Sequence, residues 1–404
     1  MGFLAAVVAA GFTAVACGNA SGGTVPTGAA CTAPGVTPTS VNLGLLVSGS
    51  GPAATSLTGF RSGIDARISV ENQKGGVNGR TLAYSWDDDQ SSPEHNLAAA
   101  RALVEQKNAF AVVEGTTAEL GGAEYLAGKR VPVVGVGPTT GWDRYPNMFT
   151  WDLLNSRSGV TSAWGDFARQ QGGTRAAVLG VQSVPGAQEL ADALGASMRS
   201  AGITEAYHNL QVDQSTDPRT LASQIAQSGA DTVTGVLDPE LWAALWPALR
   251  QADPRIKVAI FPSGYDRHSL PQVGPSIAGS YVGLVITPFE LNLPAQRNLL
   301  NAFASYSPEV SSPDGLSSIS GWVTADMVIR GLQAAGPCLT RASFTTGLRQ
   351  VHDFDGGGLI RPGVDVSKFG QPNLCLNIVR VSADGKSYEP RGTAPVCGRI
   401  VPSR

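Results

Sequence analysis

The side chains that could bind or catalyse lie in a few short loops. Asp87-Asp88-Asp89 could hold a cation, but no further oxygen ligands follow at a fixed spacing. The triplet is instead expected to close a strand beside a helix start, where the helix dipole favours acids. Gly135-Val136-Gly137-Pro138-Thr139-Thr140-Gly141 has the look of a dinucleotide fingerprint. Its spacing is one residue off, and the following TGWDRYPNMF reads as loop, so the helix N-terminus that holds a pyrophosphate is missing. The loop N–H groups and threonine hydroxyls remain good donors to a carboxylate. Glu114-Gly115-Thr116-Thr117 ends another apolar run with similar groups. His95, His208, His268 and His352 are scattered, without an HExxH, and Ser48-Gly49-Ser50-Gly51 is not a nucleophile elbow. No nucleophile, base and oxyanion donor come together, so no catalytic residue, metal or cofactor is expected.

Parallel strands followed by helices must position these loops. Arg80 to Trp86 alternates as a strand; Ser92-Pro93-Glu94 is a helix start, with a hydroxyl N-cap and proline at the first helical position. Leu97, Ala100, Arg101 and Val104 continue at helical spacing, and Phe110 to Val113 is a buried strand. The stretch from Gly75 to Thr117 is therefore strand, crossover helix, parallel strand, and ligands in such sheets sit at the carboxyl ends of strands. Similar units continue through Val131–Val136, Ala176–Val181, Thr232–Leu237 and Lys257–Phe261. The fold class is α/β: two similar Rossmann-like lobes with largely parallel sheets. Three crossings join them and make a hinge. The first lobe is expected over residues 41–152 plus 287–370 and the second over 153–286 plus 371–404.

The length of 404 residues suits two domains, and a net charge of −3 without a basic cluster argues against nucleic acid. Phe3 to Val15 is an apolar run too short to span a bilayer. It ends Ala14-Val15-Ala16-Cys17-Gly18, similar to a bacterial lipoprotein signal over residues 1–17, with Cys17 lipidated and residues 18–40 a flexible tether. The other cysteines, Cys31, Cys338, Cys375 and Cys397, are even in number, which in an exported chain suggests two disulfides. Four cysteines allow three pairings. Cys338–Cys375 with Cys31–Cys397 is expected, because the second bridge would tie both ends of the domain together.

The ordered set GLLVSGSGP, KGGVNGR, DDDQSSPEHN, VVEGTT, VPVVGVGPTT and GWVTADMVI resembles the type I periplasmic binding proteins of the branched-chain amino-acid branch, from about Val41 to Arg380. The resemblance implies that Thr116 and Thr139 bind a ligand carboxylate, with Thr117 and Thr140 as neighbouring substitutes. Gly137 would offer its carbonyl to an ammonium. The second half of the site departs from the pattern. A large aromatic falls on Ser56, one cleft tyrosine on Pro185, another near Leu237 or Asp238, and the ammonium-binding glutamate on Ser263. Asp238, Tyr265 and Asp266 are the nearby groups that could restore polarity.

The expected function is that of an extracytoplasmic solute-binding protein of an ABC importer. It would be a monomer, lipid-anchored at the outer face of the cell membrane or periplasmic. It would capture an amino acid or related amide or carboxylate by hinge closure and deliver it to a membrane permease. A ligand-sensing receptor component of the same fold is the alternative; an enzyme is the third.

Overall fold

The computed structural model describes residues 1–2, 31–137, 140–182, 186–213 and 215–403. Cys17, Thr139 and Pro185 therefore lie outside the described residues, as do the signal segment beyond residue 2 and residues 18–30 of the tether.

The chain builds two largely parallel sheets in succession. The first runs β1 (Ser40–Val47), α1 (Phe60–Gln73), β2 (Thr81–Asp88), α2 (Pro93–Arg101), β3 (Val112–Gly115), α3 (Leu120–Gly128), β4 (Val133–Val136) and β5 (Met148–Phe149), with strand order β2-β1-β3-β4-β5. Every pairing in it is parallel. Proline at the first position and Glu94 in the first turn start α2, as the sequence indicated.

A short hairpin, β6 (Asn155–Ser156) and β7 (Gly159–Thr161), then leads to the second sheet. That series is α4 (Ala163–Gln170), β8 (Arg175–Val181), α5 (Ala187–Ser200), β9 (Thr204–Val212), α6 (Pro218–Ser228), β10 (Thr232–Val236), α7 (Pro239–Ala252), β11 (Val258–Phe261), α8 (Leu270–Ile277) and β12 (Tyr281–Leu284). The chain next returns to the first sheet as α9 (Pro294–Tyr306), α10 (Leu316–Ala335) and α11 (Arg341–Leu348). It comes back once more as β13 (Cys375–Val381), β14 (Tyr388–Pro390), β15 (Val396–Cys397) and β16 (Ile400–Val401). β13 pairs antiparallel with β12, and β16 closes on β7.

Packing explains the return of α9 to α11. α10 is buried along most of its length and lies against α1 where two glycines meet. A Cβ on Gly63 would come 2.2 Å from the Ser318 carbonyl oxygen, and one on Gly321 1.9 Å from that of Phe60. On α11, Phe344 meets Phe110 and Phe149 edge-on, at centroid distances of 5.8 and 6.4 Å. Arg341 donates to the carbonyls of Ala109 and Phe110, which ends the loop before β3 on a charge-assisted contact.

Two expectations are corrected. The disulfides are Cys31–Cys338 and Cys375–Cys397, not Cys338–Cys375 and Cys31–Cys397. The cause is register: β13 and β15 are antiparallel with Cys375 directly opposite Cys397, so the two thiols meet across one ladder. Cys31 lies instead beside the turn between α10 and α11. In consequence residues 31–40 are docked rather than a tether: Gly35 accepts from the Asn42 amide at 2.7 Å and packs against the backbone of Asn108 and Phe110. α8 was not expected, since Pro271 and Pro275 lie within it.

Non-reducing digestion should recover peptides joined through Cys31–Cys338 and Cys375–Cys397 and none joined through Cys31–Cys397. Replacing Cys375 and Cys397 together by Ala opens a loop with a sequence separation of 22. Its loss should cost about 3 kcal/mol in a denaturant titration.

Candidate functional site

The carboxyl ends of β1, β2 and β3 are locked together by one buried carboxylate. Asp89 is fully buried and accepts four hydrogen bonds. Ser48 Oγ (2.7 Å) and the Ser91 amide (2.9 Å) donate to Oδ1; Asn96 Nδ2 (3.0 Å) and Thr116 Oγ1 donate to Oδ2. Thr116 Oγ1 also accepts from the Ala118 amide at 2.9 Å and stands 3.0 Å from Ser48 Oγ. With the residue 1% exposed, its hydroxyl is committed to Asp89 rather than turned toward a solute. Its neighbour Thr117 is half-buried, with no side-chain hydrogen bond to the described residues.

The other two acids of the triplet also hold the fold. Asp88 Oδ1 accepts from the amides of Gly49 (2.9 Å), Ser50 (3.2 Å) and Gln90 (2.8 Å). Burial pushes its carboxyl up, but the hydrogen bonds from Ser50, Gln90 and Gly49 outweigh this and hold it below the usual range. Asp87 pairs with Lys107 at 2.7 Å.

Next to this cage stands Glu114 on β3. It is fully buried, and neither carboxyl oxygen has a hydrogen-bond partner among the described residues. Burial first, then the charges of Glu119 and Asp89, push its carboxyl well above the ordinary range, toward the neutral acid. Glu119 is buried too, and its carboxyl lies against the backbone of Gly137. A Cβ on Gly137 would come within 2.8 Å of Glu119 Oε1, so the glycine lets the β4 loop close over the acid. Thr140 begins the single turn Thr140–Asp143 that follows. Asp143 is anchored by Arg157, whose Nε is 3.2 Å from Oδ1.

On the second sheet, Asp238 caps the start of α7 at the carboxyl end of β10, with no side-chain capping bond. Tyr265 and Asp266 lie in the loop after β11 and are held by hydrogen bonds within the second half of the chain. Tyr265 is 1% exposed; its hydroxyl donates to Glu290 Oε2 at 2.8 Å and accepts from the Phe289 amide at 2.8 Å, while its ring lies 4.7 Å from that of Tyr388. Burial, then Glu290, pushes this hydroxyl's pKa up. Asp266 accepts from the His268 amide and Ser312 Oγ. Arg267 bridges Glu290 (3.3 Å) and Asp314 (2.6 Å), so the loop after β11 is fastened to the segments flanking α9. The burial that sequence could not foresee makes Tyr265 a strut. Ser56 is exposed, in a single turn before α1.

One acid escaped the sequence reading. Asp152 sits in the first crossing, just after β5, between Trp151 and Leu153, which are 1% and 9% exposed. Asp152 is only half-buried, and its carboxylate takes no hydrogen bond from the described residues. Desolvation alone pushes its pKa up to about 6. A single acid inside the apolar run Phe149–Leu154 was the signal available.

Two largely parallel sheets visited alternately by one chain, with loops at the strand ends, form an α/β architecture of the type I periplasmic binding protein kind. The comparisons agree. The periodic order of elements from β1 to the end of β13 coincides with a match to the periplasmic binding protein family over residues 40–386, and the chain belongs to that family, in its branched-chain amino-acid-binding type I group. Solved structures share the fold. A solute-binding protein of an ABC transporter from R. palustris, in complex with benzoate, is 15% identical over 90% of this chain and 99% of its own (TM-score 0.70). A fatty acid ABC transporter substrate-binding protein from Thermomonospora curvata is 17% identical over 90% and 94% (TM-score 0.71). A putative branched-chain amino acid ABC transporter from Rhodospirillum rubrum is 16% identical over 87% and 99% (TM-score 0.67). No curated protein matches the chain. Family and neighbours alike are solute-binding proteins of ABC transporters rather than enzymes.

Glu114→Gln should stabilise the protein, and more so at higher pH. The folded pKa is raised, so below the unfolded value of about 4.3 both states hold the proton and the penalty vanishes. As pH rises the unfolded state loses its proton first, and wild-type stability falls until the folded pKa is reached. The Tm gain of the variant should therefore be larger at pH 8 than at pH 4; an equal gain at both would contradict the buried neutral acid. Thr116→Val should cost about 1–3 kcal/mol, because it leaves Asp89 short of a donor.

Proposed function

We propose that this chain is the extracytoplasmic solute-binding component of an ABC importer. It would take a small carboxylate-bearing ligand, an amino acid or a related amide or carboxylate, in the cleft between two lobes and deliver it to a membrane permease. The lobes are those proposed from the sequence, residues 41–152 plus 287–370 and 153–286 plus 371–404. The observation that carries the reading is the carboxyl-terminal edge of the first sheet. There the Asp89 cage fixes the β1, β2 and β3 ends, with the half-buried Thr117 in the loop after β3 and Gly137 at the end of the neighbouring strand β4. A carboxylate at such an edge gains from fixed donors that need no reorganisation.

In this reading Thr117, Thr139 and Thr140 meet the carboxylate, Gly137 offers backbone polarity and Asp238 faces the ligand from the second lobe. Thr116 positions the loop through Asp89, and Tyr265 and Asp266 fasten the second-lobe loop. Ser56 lies at the outer margin. The neighbours' ligands, benzoate, a fatty acid and a branched-chain amino acid by their descriptions, share a carboxylate. That common group is what the first-lobe donors would read. The lipid anchor at Cys17 and the monomeric state belong to the same proposal: a tethered trap beside its permease.

A thermal-shift screen of amino acids, amides and small carboxylates should give at least one solute that raises Tm in a concentration-dependent way. For that solute, Thr117→Ala and Thr139→Ala should each weaken binding about tenfold, the loss of a charge-assisted hydrogen bond. Thr116→Val should lower Tm with affinity changed less. Unchanged affinity in Thr117→Ala and Thr139→Ala would place the solute elsewhere.

A further inference from the structure

The hairpin β6–β7, in the first crossing between the sheets, is too small to hold its own shape. Its strands have two and three residues, and an isolated two-stranded ribbon is marginal in water. Its support comes from the far end of the chain. β16 pairs antiparallel with β7, Ile400 opposite Thr161 and Val401 opposite Val160. The Ser162 amide donates to the Arg399 carbonyl at 2.8 Å, and the Arg399 amide donates to Ser162 Oγ at 3.0 Å. Two glycines permit the close approach. A Cβ on Gly159, at φ +128°, would stand 2.0 Å from the Val401 carbonyl oxygen, and one on Gly398 would stand 2.5 Å from the Ala163 nitrogen.

Residues 396–401 are fastened on their other side to the start of β13, where the third crossing enters the second sheet. The Leu374 carbonyl accepts from the Gly398 amide and from Thr161 Oγ1, both at 2.8 Å, and so joins the tail, the first crossing and the third at one atom. The Cys375–Cys397 bridge stands beside that junction. The tail is thus a strap laid from the third crossing over the first. Its own packing is slight: residues 391–394 before it are exposed, and Val396, Ile400 and Val401 are only half-buried. A chain end with so little apolar contact frays unless it is tied down. The bridge is the tie, and it is open to attack. Cys397 is exposed, whereas both cysteines of the other bridge, Cys31 and Cys338, are half-buried.

We propose that the Cys375–Cys397 bridge is a redox-sensitive clasp, which holds the strap across the first and third crossings when oxidised and frees it when opened by a dithiol. A thiolate of the dithiol attacks the exposed Cys397 sulfur and forms a mixed disulfide with it. The Cys375–Cys397 bond breaks, and Cys375 leaves as a thiolate that takes up a proton. The second thiol of the dithiol then displaces Cys397, so the dithiol ends as its disulfide and both cysteines end as thiols. With the clasp closed, β7 is stitched to the edge of β13; with it open, β7 keeps β6 as its strand partner. That the crossings serve as a hinge rests on the solute-binding reading. The clasp itself does not, and its test needs no solute.

The test treats the intact protein with dithiothreitol at mildly alkaline pH, traps thiols with iodoacetamide and maps the labelled peptides. Cys375 and Cys397 should label at least about tenfold faster than Cys31 and Cys338. Hydrogen exchange read by mass spectrometry then compares oxidised with reduced protein. The Ser162 amide, remote from the bridge in sequence, should exchange about tenfold faster after reduction. The Gly44 amide, bonded to the Ala111 carbonyl in the first sheet, should stay protected over the same minutes in both. Cys375→Ser combined with Cys397→Ser should give the reduced pattern without any reductant. Equal or reversed labelling of the two bridges overturns the proposal. So does unchanged exchange at Ser162 with the bridge shown to be open, in the reduced protein or in the double variant. Exchange that rises throughout the chain on reduction, Gly44 included, also overturns it, because the bridge would then hold the whole fold and not a local strap.

Discussion

One carboxylate, that of Asp89, sets the geometry of the first sheet's working edge. A charge with no exposure to water is tolerable only when its lone pairs are filled, and here four donors fill them. Those donors come from separate parts of the chain: Ser48 after β1, Ser91 and Asn96 around the start of α2, and Thr116 after β3. Meeting the needs of one ion therefore brings three strand ends and a helix start to a fixed separation. An amide in place of the acid would aim hydrogens at donors, so the demand is for charge and not merely for polarity.

The same edge concentrates further acids, and each meets a different solution. Asp88 gathers backbone amides and is held as the anion. Glu114 finds no partner and is driven toward the neutral form, with the neighbouring charges of Asp89 and Glu119 adding to burial. Asp152, one crossing away, is neither paired nor sealed. Buried acids with partners fix structure, and a sealed acid without one is held neutral. The loop after β11 makes the opposite choice. Tyr265, Arg267, Glu290 and Asp314 satisfy one another, so that loop is structural although its residue types look suited to ligand contact.

The α/β series was legible in the sequence because period and caps are local. The strand, helix, strand unit from Gly75 to Thr117 follows from alternation in β2, proline at the start of α2 and an apolar run at β3. Which of two adjacent threonines turns inward was not legible. That choice depends on Asp89, which arrives from another strand. The disulfides were misjudged for a like reason: Cys375 and Cys397 are opposed by the β13–β15 register, and β15 is too short to carry a pattern. The hairpin β6–β7 and its closure by β16 escaped notice because two- and three-residue strands have no period. Tyr265 was expected near a ligand because it follows Ser263, where the resemblance places an ammonium-binding glutamate, and its burial against Tyr388 is a tertiary fact.

A solute trap needs a fixed half, a moving half and a hinge. The first sheet's edge, braced by Asp89, supplies the fixed half in this account, and the three passages of the chain between sheets supply the hinge. The most direct test is small-angle X-ray scattering of the protein with and without a saturating solute from the thermal-shift screen. The account predicts a smaller radius of gyration when the solute is bound, as the lobes close around it. An identical radius of gyration with the solute demonstrably bound would contradict closure and with it the trap.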